Sequence, residues 1–257
     1  MKTIKVTVKE KIALITLDHG RSNALNFDMV TELKDIFQNI EKDENISGLI
    51  LTGKDDYFCA GLDLVELFDY SEDQIKSFWE QYFLLISVMV SFKKPFISAI
   101  NGHAPAAGTV LSLCGDYRVM ADDNYPIGLN ELALGIIVPD GLFQLYSHCI
   151  GRSKASQYLM EGKLVSPAEG LTIGLVDRLV SRDAVVITAV RQMQKYLEFN
   201  KTVWQESKLN IRRNLIFALQ PHQPELIKKI LQEWWAPYNR SILQTLIQNF
   251  KPSEGLL

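Results

Sequence analysis

The sequence has few cysteines and histidines, and no motif groups them. Its three cysteines, Cys59, Cys114 and Cys149, contain no C-x-x-C pair, and the four histidines are scattered along the chain. A small, odd number of unpaired cysteines is typical of free thiols in a reducing compartment, whereas zinc sites need ligands at characteristic spacings. We therefore expect neither a disulfide framework nor a metal site.

An excess of basic residues and an apolar leader are also lacking. The net charge is −3, which excludes the basic surface that nucleic-acid binding requires. The N-terminal residues alternate between polar and apolar from Ile4 onwards, unlike a signal peptide or a transmembrane helix. We expect a cytoplasmic protein with neither a nucleic-acid nor a membrane partner.

Glycine-rich phosphate motifs are missing as well. The chain contains neither G-x-G-x-x-G nor G-x-x-x-x-G-K-[ST], so neither a dinucleotide-binding fold nor a phosphate-binding loop is supported. What it does contain is an alternation of apolar runs and helical patterns, typical of an α/β core with parallel strands. We predict this core over residues 1–180. A helical region over 181–257 is predicted to pack against a neighbouring subunit or back onto the core.

Local patterns predict several of the elements. Alternating residues on either side of Glu10–Lys11 indicate a hairpin, and Asn26 is placed to cap the helix that follows it. The apolar runs at 46–52, 95–100 and 117–121 indicate buried strands. The last helix is predicted from about Arg240 to Phe250.

A stretch of small residues lies between a predicted strand and a predicted helix. It runs from Asn101 to Gly108. Small residues allow a ligand to approach the backbone, and the first turn of a helix carries N–H groups without partners. Such a turn favours an anion or oxyanion site, with tight packing and no ligand as the alternative. His103 in this stretch is interpreted as structural rather than as a ligand contact.

A second turn of the same kind spans Cys59 to Asp63. It also follows an apolar run and precedes a helical pattern that Asp63 is placed to cap. Two such turns are able to donate one N–H each to a single oxygen. Cys59 has no histidine at a partnering spacing, so we do not expect it to be a nucleophile.

Glu131 is the one acidic residue in the otherwise neutral segment 127–137. Apolar surroundings raise the pKa of a carboxyl group, which suits proton transfer near neutral pH. The alternative is a glutamate on an exposed strand edge or at a helix start.

Taken together, these stretches resemble the crotonase superfamily, that is, the enoyl-CoA hydratase/isomerase family. The resemblance covers about residues 4–180. The matching motifs are Asn23–Leu25, Phe58–Leu64, Ser98–Gly102, Cys114–Arg118 and Gly128–Gly135.

The resemblance implies a fold, an assembly and a substrate class. The fold is an α/β spiral of repeated strand–strand–helix turns with a C-terminal helical trimerisation region, and members form homotrimers or hexamers. They bind acyl-CoA thioesters and stabilise an enolate with two backbone N–H groups, here those of Leu62 and Ala107. Ala107 stands where glycine is usual, so its methyl group narrows the pocket.

The resemblance also implies contacts with the substrate. Coenzyme A is part of that substrate, so no separate cofactor is expected. Ala60 is expected along the adenine of coenzyme A, and Asp63 is expected to hold the loop. The implied substrate-binding residues are Asn23, Ala24, Ala60, Gly61, Asp63, Leu64 and Gly108.

The catalytic acids divide this family. Hydratases carry two glutamates, and the corresponding positions here are Val110 and Glu131. A single glutamate suits a proton shuttle, and the chain looks most like the Δ3,Δ2-enoyl-CoA isomerase branch. Another crotonase reaction (hydratase, dienoyl-CoA isomerase, thioester hydrolase or decarboxylase) or a non-catalytic acyl-CoA binder are the alternatives. Glu66 and Asp140 are candidates for the second acid of a dienoyl-CoA isomerase.

Two further predictions concern the edges of the site. The aromatic residues Phe78, Trp79, Tyr82 and Phe83 either wall an acyl pocket or belong to the core. Phe250 and Lys251 are candidates for contacts with coenzyme A bound to a neighbouring subunit.

Overall fold

The computed structural model describes residues 3–250 of the chain. Lys251 and the side chain of Phe250 therefore lie outside the described residues. The strands are β1 Ile4–Lys9, β2 Ile12–Leu17, β3 Gly48–Thr52, β4 Phe96–Ile100, β5 Ala104–Pro105, β6 Tyr117–Ala121, β7 Ile127–Gly128, β8 Leu164–Val165 and β9 Arg178–Val180.

Helices account for most of the remaining chain. Short 3-10 helices occupy Glu131–Leu134 and Arg182–Ala184. The α-helices are α1 Phe27–Lys42, α2 Leu64–Phe68, α3 Glu72–Ser91, α4 Ala107–Leu113, α5 Asp140–Ile150, α6 Arg152–Glu161, α7 Pro167–Ile173, α8 Val185–Leu197, α9 Lys201–Ala218, α10 Pro224–Trp235 and α11 Pro237–Phe250.

The larger sheet has the strand order β1-β2-β3-β4-β6-β9. Strand β1 pairs antiparallel with β2 through a turn in which Glu10 and Lys11 have φ values of 50° and 64°. Turns of this handedness match the twist of a two-residue hairpin, so the predicted hairpin is confirmed. The other pairings in this sheet are parallel, as the alternation of strands and helices predicted.

Strands β3 and β4 form the centre of the core, because every residue in both is buried. Apolar runs of this kind are typical of parallel strands that are covered on both faces. The two small-residue turns follow these strands, one directly after β4 and the other after a short loop that begins at Gly53. A second sheet, with the order β5-β7-β8, forms beside the turn that follows β4.

Helix α1 begins where Asn26 was predicted to cap it. The Asn26 carboxamide accepts a hydrogen bond from Met29 N at 3.0 Å. The residues predicted to share one helix face, from Met29 to Ile40, are buried, and α1 packs against α3. The helical spacing of apolar residues was therefore sufficient to predict this element.

The strands end at Val180, which is the boundary that the sequence predicted between core and helical region. Helix α8 lies beyond this boundary but packs against β3, β4 and β6. Gly48 in β3 provides the space: a Cβ there would lie 2.3 Å from Met193 Sδ. The division into two domains stays a prediction. Helix α8 is part of the core's packing, because it lies against the sheet.

Helices α9, α10 and α11 fold back onto the core. Helices α9 and α10 both pack against α3, and α11 packs against α2. The last helix begins at Pro237, three residues earlier than predicted, because proline is well suited to the first turn of a helix. Within residues 3–250, no helix combines the length and apolar character that a membrane span requires.

Candidate active site

A cavity of about 540 Å³ lies where the two small-residue turns meet. Most of the residues predicted to form the site line it: Ala24, Ala60, Gly61, Leu62, Asp63, Leu64, Ala107 and Glu131. These residues come from four distant parts of the chain, the loop that contains Ala24 and the three stretches singled out in the sequence. The fold therefore brings together the three stretches that stood out in the sequence.

The turn after β3 presents the backbone N–H of Leu62 to this cavity. The flanking groups are paired with Leu25, because Leu25 N donates to Gly61 O at 2.8 Å and Asp63 N donates to Leu25 O at 2.9 Å. Gly61 adopts a φ of +104°, which favours glycine. The Leu62 N–H donates to no other atom of the described residues, so it is free for a ligand.

As predicted, Asp63 stabilises the same turn by capping the helix that follows it. Its carboxylate accepts a hydrogen bond from Glu66 N at 3.1 Å and so caps α2. A cap of this kind stabilises a helix end by about 1 kcal/mol. It fixes the point at which the chain leaves Leu62.

The second turn presents the backbone N–H of Ala107. Ala106 N donates to Gly128 O at 2.8 Å, while no acceptor within residues 3–250 faces the Ala107 N–H. The two turns are adjacent: a Cβ on Gly61 would lie 3.9 Å from Ala107 N. Leu62 and Ala107, whose N–H groups donate to no acceptor among residues 3–250, thus line one cavity.

The strained residue of this turn is Ala106 rather than Ala107. Ala106 has φ +50° and ψ −120°, a region that side chains with a Cβ rarely occupy. Ala107 begins α4 with ordinary helical geometry. Alanine at position 107 is therefore compatible with an N–H group that points into the cavity.

Two predicted substrate-binding residues do not line the cavity. Asn23 is fully buried, and its carboxamide donates to Tyr57 O at 3.0 Å and accepts from His19 N at 3.0 Å. Gly108 faces the backbone of the other turn, since a Cβ there would lie 2.1 Å from Cys59 O. Both residues position the loops that line the cavity.

Glu131 also lines the cavity, at the start of the 3-10 helix. The residue is 7% exposed, and its Oε2 atom has no hydrogen-bond partner in the described part of the protein. Burial raises the pKa of Glu131 to about 7, although a hydrogen bond from its own backbone N–H opposes the shift. The carboxyl group is therefore able to both accept and release a proton near neutral pH.

Two tyrosines lie close enough to Glu131 to feel its charge. Burial, and next the Glu131 carboxylate, raise the pKa of the Tyr82 and Tyr146 phenols. Tyr82 lines the cavity together with Trp79, while Phe78 and Phe83 lie in the core. All four aromatic residues thus belong to the buried core, and two of them, Trp79 and Tyr82, also line the cavity.

Other polar residues singled out in the sequence have structural positions. His103 lies between the rings of Tyr57 and Tyr125, each with its centroid 4.9 Å away. Burial raises the pKa of the Cys59 thiol to about 12, so the thiolate that a nucleophile needs is disfavoured. Asp116 pairs with Lys208 and Arg212 beneath the second turn, and Arg118 pairs with Asp177 at 2.7 Å.

One group of residues has the ligand types of a metal site. Ligand-type atoms of His19, Asp63 and Glu66 lie within 4.8 Å of one another. The sequence predicted no metal site, because the proximity arises only through folding. Both carboxylates already accept protein hydrogen bonds, that of Glu66 from Asn26 at 2.9 Å and from the Tyr70 hydroxyl. Neither Glu66 nor Asp140 lines the cavity.

Sequence reasoning missed several residues of the cavity wall. Arg21 and Ser22 line it from the loop before Asn23. Arg21 is exposed, and its positive charge was the one feature of this loop that could have indicated a contact with an anion. The apolar part of the lining was also missed, since its members are indistinguishable from core residues in the sequence: Val65, Leu134, Ile136, Leu142 and Leu164.

The fold and the cavity together define a class of protein. Two unpaired N–H groups can stabilise an oxyanion, and a protonatable carboxyl group in the same cavity can move a proton. This is the arrangement of an α/β enzyme that works through an anionic intermediate. Residues 7–237 match the family model described as "Enoyl-CoA hydratase/isomerase". The chain belongs to this family, which the sequence motifs had indicated.

Known relatives agree with this assignment. The chain is 38% identical to mouse "Enoyl-CoA delta isomerase 1, mitochondrial" over 188 residues, which cover 72% of this chain and 65% of the mouse protein. It is 33% identical to the human protein of that name over 95% of this chain and 82% of the relative.

A solved structure confirms the fold. The crystal structure of human mitochondrial delta3-delta2-enoyl-CoA isomerase superposes with a TM-score of 0.94 at 29% identity, covering 99% of this chain and all of the human one. The prediction of a crotonase-type α/β fold with C-terminal helices is therefore confirmed.

Proposed function

We propose that this protein is a Δ3,Δ2-enoyl-CoA isomerase in which Glu131 is both base and acid. The observation that carries the proposal is Glu131 itself: a buried carboxyl group, protonatable near neutral pH, that lines the same cavity as Leu62 and Ala107. Relatives that carry the name enoyl-CoA delta isomerase support the same reaction.

The reaction transfers one proton within the substrate. The Glu131 carboxylate takes a proton from the carbon between the thioester carbonyl and the C3–C4 double bond. The released electron pair delocalises into the carbonyl, and the oxyanion of the resulting dienolate accepts hydrogen bonds from the N–H groups of Leu62 and Ala107. Glu131 then returns the proton to C4, which leaves the double bond between C2 and C3. Atoms and electrons balance, so no cofactor or metal is needed.

Each N–H donor of an oxyanion hole contributes about 3–4 kcal/mol in other enzymes. A pair of donors thus lowers the barrier substantially, provided both point at the same oxygen. The adjacency of Gly61 and Ala107 N supports this arrangement. Ala107 keeps the donor that glycine would supply, which favours an active enzyme over a non-catalytic binder.

The lining of the cavity argues against hydration of a double bond. Val110, at the position where hydratases carry a second glutamate, is fully buried and lies outside the lining. The acidic residues among the described lining residues are Asp63 and Glu131, and Asp63 is committed to capping α2. A second carboxylate for positioning water is therefore missing from the described lining.

The substrate is proposed to be an acyl-CoA thioester. Ala24, Ala60 and Leu64 are proposed to contact coenzyme A, and the guanidinium of Arg21 is suited to one of its phosphates. The apolar wall that includes Trp79 and Leu142 is proposed to contact the acyl chain. Assembly as a homotrimer or hexamer and a cytoplasmic location are likewise proposals. The mammalian relatives are named as mitochondrial proteins.

The test is an assay for the conversion of a 3-enoyl-CoA to the conjugated 2-enoyl-CoA, monitored through the absorbance of the conjugated enoyl thioester. We expect the wild-type protein to be active and Glu131→Gln to lose about 10²- to 10⁴-fold in rate, the usual contribution of a general acid–base group. Glu44→Gln, an exposed substitution of the same kind, serves as the control. Full activity of Glu131→Gln would contradict the proposal, and consumption of 2-enoyl-CoA by wild type would indicate a hydratase.

A further inference from the structure

We propose that helix α11 positions both halves of the active site through two adjacent residues, Asn239 and Arg240. They are positioning residues, because each contacts an element that carries catalytic groups and neither lines the cavity. The inference rests on the function proposed above, since it assigns roles within that reaction.

Asn239 packs against the end of the Glu131 turn. Its carboxamide is buried and oriented by two hydrogen bonds to Glu233, at 3.0 Å to the backbone carbonyl and 2.9 Å to the carboxylate. A Cβ on Gly135 would lie 2.5 Å from Asn239 Oδ1. The oriented amide therefore lies directly against Gly135, where nothing larger than glycine fits.

Gly135 is the residue at which the Glu131 turn ends. Its φ is +69°, and the turn is closed by hydrogen bonds from Gly135 N to Leu132 O at 3.2 Å and from Ile136 N to Glu131 O at 3.0 Å. A 3-10 helix of four residues has little stability of its own. The contact with Asn239 therefore helps to set the direction in which Glu131 projects.

Arg240 contacts the element that follows the Leu62 donor. Its Nη2 donates to Phe68 O at 3.1 Å, and its guanidinium carbon lies 3.5 Å from the centroid of the Phe68 ring. Phe68 is the last residue of α2, which begins at Leu64. The arginine thus binds the C-terminal end of a five-residue helix whose N-terminal end leads directly from Leu62.

The two contacts have a common consequence. One helix determines the separation between the proton-transferring carboxyl group and one of the two N–H donors. Displacement of a catalytic group by 1 Å is sufficient to reduce a rate by about 100-fold. The helical region is therefore part of the catalytic apparatus of its own chain.

The experiment compares Asn239→Ala and Arg240→Ala with Gln244→Ala, an exposed position on the same helix. We expect each of the first two to lower kcat about 10- to 100-fold with little change in KM, and the control to match wild type. Asn239→Ala is expected to shift the apparent pKa of the catalytic base in the pH–rate profile, whereas Arg240→Ala leaves it unchanged. Arg240→Lys is expected to recover part of the rate. If the alanine variants fold poorly, Asn239→Ser and Arg240→Gln replace them.

A second measurement is independent of turnover. Hydrogen exchange of the Gly135 and Ile136 amides is expected to be faster in Asn239→Ala and unchanged in Gln244→Ala. Variants that unfold more easily but keep wild-type kcat, pH profile and exchange in this turn would overturn the inference. If wild type shows no isomerase activity, the proposed function fails, while faster exchange would still support the positioning contact and unchanged exchange would overturn it.

Discussion

At the residue scale, the most informative position is Glu131. A carboxyl group at 7% exposure with an unpartnered oxygen is unfavourable for folding, and proteins retain such groups mainly where chemistry needs them. The raised pKa is thus both the functional signal and a source of instability. Its effect on folding can be measured without any substrate.

Glu131 is expected to lower the stability of the protein above pH 4.5. As pH rises from 4.5 towards 7, the unfolded chain loses the Glu131 proton while the folded protein keeps it, so the free energy of unfolding falls. Glu131→Gln removes this effect. We expect its free energy of unfolding at pH 8 to be about 1–3 kcal/mol higher than that of wild type. Urea denaturation at pH 8 and pH 4 is the measurement.

At pH 4 the advantage of Glu131→Gln is expected to disappear, because the carboxyl group is then largely protonated in both states. Glu44→Gln, at an exposed position, should match wild type at both pH values. A variant that is no more stable than wild type at pH 8 would show that burial of the carboxylate is compensated by contacts formed in solution.

At the element scale, α4 is notable because its two ends serve different purposes. Its N-terminus presents the Ala107 N–H to the cavity, while its C-terminal carbonyls are bound by α9. Arg212 donates to Cys114 O at 2.8 Å and Gly115 O at 2.9 Å, and it pairs with Asp116 at 3.0 Å. Lys208 pairs with the other oxygen of Asp116 at 2.7 Å. Helix α9 therefore holds the segment that follows α4, the helix into which the second turn leads.

Removing one member of this buried group is expected to be costly. Arg212→Ala removes the donor to Cys114 O, leaves Gly115 O with only the 3.4 Å bond from Arg118 Nη1, and leaves Asp116 with only part of its compensation. We therefore expect a loss of about 3–5 kcal/mol in unfolding free energy. Arg213→Ala, at the neighbouring exposed position, should change it by no more than about 0.5 kcal/mol. Thermal and urea unfolding check both values. Equal effects of the two substitutions would contradict the role assigned to Arg212.

At the scale of the whole molecule, α9 also carries an apolar surface that residues 3–250 leave exposed. Val203, Ile211 and Phe217 are 64%, 72% and 75% exposed and lie on one side of the helix. Large exposed apolar residues grouped on one helix face favour association with another protein surface. This surface supports the proposal of a homotrimer or hexamer.

Charge introduced on this surface is expected to dissociate the assembly. We expect Ile211→Asp combined with Phe217→Asp to reduce the mass measured by analytical ultracentrifugation from three or six chains to one, because burying carboxylates in an interface is costly. Thr202→Asp lies on the same helix outside the apolar face and should leave the mass unchanged. A wild-type protein that sediments as a monomer would contradict the proposed assembly.

The sequence by itself determined most of the elements, and it made Glu131 a candidate for proton transfer. The spacing of apolar residues placed β1 to β4, α1 and the long C-terminal helices, because burial of one face imposes a period that can be read locally. Side-chain caps such as Asn26 and Asp63 were predictable for the same reason, since a helix start has a local chemical signature. Glu131 stood out as the lone acid of a neutral segment, but this pattern left an exposed strand edge or a helix start open. Its assignment as the catalytic residue came from the resemblance to the enoyl-CoA hydratase/isomerase family.

Only the tertiary structure decided which backbone N–H groups can bind a substrate and which side chains line the cavity. That the N–H groups of Leu62 and Ala107 have no acceptor among residues 3–250 depends on how the two turns pair with Leu25 and Gly128, which are distant in sequence. The same holds for Asn23 and Gly108, which support loops instead of lining the cavity, and for Asn239 and Arg240, which reach elements more than 100 residues away. Local periodicity carries no information on such contacts, because they arise when separate elements pack together.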